Sequence, residues 1–160
     1  PVQRIKTYNT LREKGDIPRY LTRRVSWSLA QGRALKTRFR CDTHELESDR
    51  GRYTQPETPQ EQRICQCCHM DRPETVYHFI FDCDAYAHIR LEMLATIDQQ
   101  IQYCDHFSWK NKTWEQRKNF LLADGPPPSQ DAAKNMQWVR IETCFYYYLA
   151  NALTLRRSQV

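Results

Sequence analysis

Residues 64–90 read Ile64-Cys65-Gln66-Cys67-Cys68-His69-Met70-Asp71-Arg72-Pro73-Glu74-Thr75-Val76-Tyr77-His78-Phe79-Ile80-Phe81-Asp82-Cys83-Asp84-Ala85-Tyr86-Ala87-His88-Ile89-Arg90. Two residues separate Cys65 from Cys68, nine lead on to His78 and four more to Cys83, a C-x2-C-x9-H-x4-C array. Zinc takes thiolate sulfur and imidazole nitrogen in a closed tetrahedron, and a two-residue spacer lets both thiols of one turn face a single ion. The expected ligands are therefore Cys65, Cys68, His78 and Cys83. Phe79, Ile80 and Phe81 lie between the last two and supply apolar surface to pack on the rest of the domain. Three other readings stay open. Cys67 with Cys68, or a set using His69, can replace part of the ligand set. Cys65-Gln66-Cys67-Cys68-His69 also satisfies the C-x-x-C-H pattern of haem attachment, although that leaves His78 and Cys83 unexplained. The third is a set of buried thiols and a core histidine without any metal.

The stretch resembles the zinc-binding domain that lies C-terminal to the reverse transcriptase of non-LTR retrotransposons. That family carries Cys-x2-Cys, a polar spacer, Glu-Thr-Val-x-His, an apolar triplet, one further residue, Cys, and an aromatic followed four residues later by Arg. Glu74, Thr75, Val76, His78, Cys83, Tyr86 and Arg90 fall on this pattern. His69 stands where the family usually has Gly, and Cys67 is an additional thiol. The resemblance is specific over residues 64–90 and loose over about 20–95. It implies one structural Zn2+ and a nucleic-acid-binding accessory role, in a chain that is the end of a larger protein or a remnant put to another use.

Charge points the same way. The chain carries +5 overall, yet residues 1–40 hold eleven Lys and Arg against Glu13 and Asp16, for +9, and the remaining 120 carry −4. A local field of one sign attracts polyanions. Arg19, Arg23, Arg24, Arg33, Lys36, Arg38 and Arg40 lie between the apolar positions Leu21, Val25, Leu29, Leu35 and Phe39, so the spacing predicts an amphipathic helix with a basic outward face, bent or ended near Gly32. Asp16 and Pro18 are placed to open it, and residues 1–15 read as a basic arm. With almost no acids nearby, i, i+4 ion pairs do not account for the stripe. These seven side chains are the candidate nucleic-acid contacts, with RNA the expected partner.

Seven cysteines, odd in number and clustered, suit a metal site in a reducing intracellular compartment better than a disulfide framework. Cys41, Cys104 and Cys144 are then small buried apolar residues, with Cys41-x2-His44 a possible half-site. Nucleus and mitochondrion both fit, since the Arg-rich, acid-poor N-terminus also has targeting-segment character. No run reaches bilayer-spanning length.

Residues 42–63, polar with Gly51, Pro56 and Pro59, read as a long loop that is mobile or laid against another chain. Tyr86, Ile89, Met93, Leu94, Ile97 and Ile101 predict a helix from about Asp84 to Tyr103. Thr113 with Gln116 forms a capping box for a shorter helix. Gly125-Pro126-Pro127-Pro128 is a joint that stops it, and Ser129 restarts the last helix. That helix has an expected inner stripe of Met136, Val139, Cys144, Tyr147 and Leu153, with Phe145-Tyr146-Tyr147-Tyr148 inside the bundle more readily than docked on a neighbour. Strand content is expected only as a hairpin near Cys65.

The expectation is a mainly α fold: a helical bundle over residues 16–160 with an inserted CCHC zinc knuckle. No polymerase Asp pair, P-loop, dinucleotide turn or nucleophile setting is visible, and a Cys3His set leaves no open coordination position, so no catalytic activity is expected. Two functions follow. One is a zinc-stabilised domain binding nucleic acid within a ribonucleoprotein or retroelement-derived protein. The other is a structural subunit of a large organellar assembly, such as a mitochondrial ribosome or respiratory complex, whose partners are protein subunits. Neither uses a small-molecule substrate.

Overall fold

The last helix packs between two others. In a computed structural model, which describes residues 11, 17–101, 109–125 and 129–160, α1 is Arg19–Thr22, α2 Trp27–Arg40, α3 Glu47–Arg50, α4 Ala87–Ile101, α5 Trp114–Leu122 and α6 Ala132–Gln159. The fold is mainly helical, and among the described residues no strand forms. The hairpin expected near Cys65 is reduced to one antiparallel bridge between Ile64 and Pro73. No helix among the described residues is long and apolar enough to cross a membrane. The basic arm, Asp16, Cys104, His106 and Pro126–Pro128 fall outside the described residues, apart from Leu11 of the arm.

α6 packs along α2 on one side and α4 on the other. Leu35 and Phe39 of α2 and Met93 and Ile97 of α4 therefore meet Ile141, Phe145, Leu149 and Ala152 in one buried cluster. Burial on two sides corrects the expected inner stripe. Met136 and Tyr147 are exposed and Val139 and Cys144 half-buried, while of the stripe only Leu153 is fully inside. Within the aromatic run, Phe145, Tyr146 and Tyr148 are buried and Tyr147 faces outward, because helical rotation turns one position in four away from both neighbours.

Gly32 does not end a helix. A Cβ there would lie 2.4 Å from Cβ of Tyr146, so glycine permits the close crossing of α2 and α6. The break comes earlier: Arg23 and Ser26 are extended, and the carbonyl of Arg23 accepts from Arg33 at 2.9 Å instead of from a following turn.

The polar stretch 42–63 is self-packed. Leu46 is buried in the core, α3 forms a turn, and Arg63 spans the segment. Its guanidinium donates to the Thr58 carbonyl (2.8 Å), the Ser48 carbonyl (2.8 Å) and the Glu57 carboxylate (2.7 Å). One buried multivalent donor thus stands in for further aliphatic residues beyond Leu46.

The capping box forms as the sequence indicates. The amide of Gln116 donates to the Thr113 hydroxyl (3.3 Å), and the Thr113 amide donates to the Gln116 side chain (2.9 Å). The cap of α6 is Asp131 and not Ser129: Asp131 accepts from Ala133 at 2.8 Å and from Lys134 at 3.4 Å, while Ser129 exchanges hydrogen bonds with the Asn135 side chain.

Candidate metal centre

A tight hairpin presents the first two thiols. The Cys65 amide donates to Arg72 (2.9 Å) and the Glu74 amide to Arg63 (2.8 Å), with Asp71 taking φ 48° at the turn. Thr75 then caps a helical turn, its hydroxyl accepting from the His78 amide at 3.0 Å. Residues His78–Asp82 wind as a π-helix, and the Cys83 amide donates to the His78 carbonyl at 2.8 Å. The wider winding matters. On an α-helix positions i and i+5 stand about 140° apart, whereas an added residue per turn returns them toward one side. His78 and Cys83 consequently face the hairpin together.

All four expected donors converge: Cys65 Sγ, Cys68 Sγ, His78 and Cys83 Sγ lie within 4.8 Å of one another, and this cluster can hold a metal ion. Cys65 Sγ is 3.9 Å from Cys83 Sγ, and Cys68 Sγ is 3.3 Å from His78 Nε2. His69 is exposed and outside the cluster. Cys67 is half-buried and forms a second trio with Cys65 and Glu74. Cys41 and His44 form no such group among the described residues, and the His44 ring instead stacks on Phe39 at 5.1 Å. Cys41, Cys65, Cys67, Cys68, Cys83 and Cys144 are free thiols.

The electrostatics reflect crowding of anionic donors. Hydrogen bonding from the Cys83 thiol holds Cys65 down to about 3, despite burial, and the same contact drives Cys83 upward. His78 is raised by its hydrogen bond with Cys65 and then by Asp82. One thiolate is thus shared among neighbouring protons, the place a bound cation takes when it displaces them.

Around these donors stands a second layer. His78 Nδ1 is 3.1 Å from Asp82 Oδ2, which also accepts from Arg72 at 2.9 Å. Such a carboxylate fixes the tautomer and leaves Nε2 for the metal side. Arg90 donates to the carbonyl of Cys83 at 2.8 Å. Buried Glu74 places Oε1 4.0 Å from Cys65 Sγ, accepts the Glu47 amide at 2.7 Å, and receives Arg156 of α6 on both oxygens at 2.7 and 2.9 Å. Phe79 anchors the turn to the bundle. It stacks on Phe39 (5.4 Å) and meets Tyr86 (5.0 Å) and Tyr148 (5.8 Å) edge-on, while the Tyr148 hydroxyl donates to its carbonyl. Glu74 and Arg90 stand out in the sequence pattern; Arg156 carries no local signal and enters through tertiary packing alone.

The candidate basic face is split, with two of its seven cations turned inward. Lys36 and Arg40 are 0% exposed. Lys36 Nζ donates to Glu142 (2.8 Å) and to the Ala123 carbonyl (2.7 Å), and Arg40 donates to the Leu122 carbonyl (2.8 Å) and pairs with Asp124. The two cations close the C-terminus of α5, where unpaired carbonyls collect partial negative charge. Arg23 pairs with Glu142, Arg19 donates to the Gly125 carbonyl, and Arg33 holds the Arg23 carbonyl. Arg24 and Arg38 remain exposed. The stripe thus divides between an interior that neutralises helix ends and a reduced outer set.

Comparison with family models, characterised proteins and solved structures gives no match, so the reading of function rests on this chain's own geometry.

Proposed function

We propose that this chain is a non-catalytic, zinc-stabilised domain that binds nucleic acid, RNA before DNA. The observation carrying the metal part is convergence of three thiols and one imidazole on a single point next to the core. A three-sulfur, one-nitrogen tetrahedron suits Zn2+, and thiolates about 2.3 Å from it stand about 3.8 Å apart, matching the 3.9 Å between Cys65 and Cys83. A full protein ligand set leaves no position for substrate, which supports a structural ion over a catalytic one. For nucleic acid the support is narrower: Arg24 and Arg38, exposed on the N-terminal segment, with Arg19, Arg23 and Arg33 half-buried beside them.

The test is binding to single-stranded RNA across a salt series. The expected slope of log K against log salt is negative, and Arg24→Ala with Arg38→Ala shallows it by roughly 1.4 units, about 0.7 for each phosphate no longer neutralised. Binding without salt dependence overturns the nucleic-acid part.

One observation favours a second reading, a structural subunit contacting protein. Trp27 is 93% exposed, and Ile17 and Leu21 are exposed near it in sequence. A partner subunit covering them protects Trp27 from quenching by added iodide or acrylamide, whereas the RNA reading leaves it open.

A further inference from the structure

We infer that Arg156, near the end of α6, is the charge partner of the metal centre and a determinant of its affinity for a divalent ion. The inference rests on the reading that Cys65, Cys68, His78 and Cys83 bind such an ion.

Three thiolates and a neutral imidazole around a divalent cation leave a formal charge of minus one. Beside this centre the chain buries another anion, Glu74, whose Oε1 lies 4.0 Å from Cys65 Sγ. Two adjacent negative groups away from water are tolerated only with compensation. Arg156 supplies it: almost fully buried, it reaches across 82 residues of sequence and places Nε 2.7 Å from that same Oε1 and its terminal nitrogen 2.9 Å from Oε2. Glu47 takes a third contact at 3.1 Å. Elsewhere around the centre Arg90 holds the Cys83 carbonyl and Arg72 holds Asp82. Counting Glu47, Glu74 and Asp82 against Arg72, Arg90 and Arg156, the surrounding layer is formally neutral, and without Arg156 it would add a further negative charge to the minus one of a divalent centre. A monovalent ion leaves a larger buried excess of negative charge.

Because coupling is reciprocal, metal occupancy also fastens the last turns of α6. Arg156 is a positioning residue: it holds Glu74 and screens Cys65 without touching the ion.

The experiment titrates the full chain with Co2+, following thiolate-to-metal absorption, and measures Zn2+ affinity by competition with a chromogenic chelator. Arg156→Gln is expected to weaken Zn2+ binding 10- to 100-fold, the range found when such outer partners are removed. Arg156→Lys keeps the charge and is expected to stay within about threefold of wild type if charge is the agent. The double variant Glu74→Gln with Arg156→Gln removes both charges together and leaves the net charge of the layer unchanged, so affinity is expected to return to within about threefold of wild type. A double variant as weak as Arg156→Gln alone overturns the inference, since charge balance is then not the agent. If Arg156→Gln loses helical circular dichroism, Arg156→Lys and the double variant decide. Unchanged affinity in a folded Arg156→Gln overturns the inference alone. A wild-type chain that takes up no metal overturns the metal reading and this inference with it.

Discussion

The Cys/His cluster within 64–90 and the basic segment at 19–40 both bury polar groups, and they do so by opposite means. In the first, donors from a stretch of 19 residues converge on one point where a cation can be held, with arginines only around its outside. In α2, cations are neutralised by the polypeptide itself, through Glu142, Asp124 and the carbonyls ending α5. The first arrangement can hold an external ion. The second consumes side chains otherwise available to an external polyanion. Dense charge in sequence therefore indicates a ligand only where folding leaves that charge unpaired.

The largest expected effect falls on the knuckle. Stripping metal with a chelator should abolish hydrogen-exchange protection over residues 64–101, because metal binding in such sites is folding free energy on the order of 10 kcal/mol. Residues 114–122, capped by their own Thr113 and by Lys36 and Arg40, should lose less. Equal loss in both regions would remove the distinction drawn above.

Next in size is the buried cation. Lys36→Ala should destabilise the chain by about 3–5 kcal/mol in chemical denaturation, since it leaves Glu142 in the interior with only Arg23. Lys36→Met combined with Glu142→Gln should recover most of that. A change below about 0.5 kcal/mol for Lys36→Ala would return this side chain to the solvated face that its sequence context suggests.

A third test uses pH. Burial, with Arg52 and Arg156 nearby, holds His44 down to about 4, so the folded chain binds fewer protons than the unfolded one between about 4 and 6.5. Its contribution is fully present above pH 6.5 and is lost as pH falls toward 4, by about 3 kcal/mol in all. Because metal release also occurs on acidification, the measurement is the difference between wild type and His44→Gln. That difference should shrink steadily from pH 7 to pH 4; a constant difference would mean that His44 titrates normally.

How much of this was legible depends on the range of the interaction. The converging donors, the Thr113 capping box and the helix carrying Met93 and Ile97 are written in spacings of a few residues, which local geometry turns directly into position. The direction of Lys36 and Arg40 was not legible. The i, i+4 pair fits either face of α2, and its choice is made by Leu122, Ala123, Asp124 and Glu142, more than eighty residues away. The stripe of α6 failed for a related reason, since a helix packed on two sides has no single inner face for periodicity to reveal. Arg63 shows the converse. A segment whose one aliphatic side chain is Leu46 is ordered largely by one arginine, two of whose acceptors are backbone carbonyls, which composition does not display.

The most direct test of the account is the metal content of the full chain by native mass spectrometry, for wild type and Cys83→Ser. One zinc ion per wild-type chain, lost from Cys83→Ser together with the protection of residues 64–101, is the predicted result. A wild-type chain that carries no metal yet keeps residues 64–90 protected against exchange would contradict it.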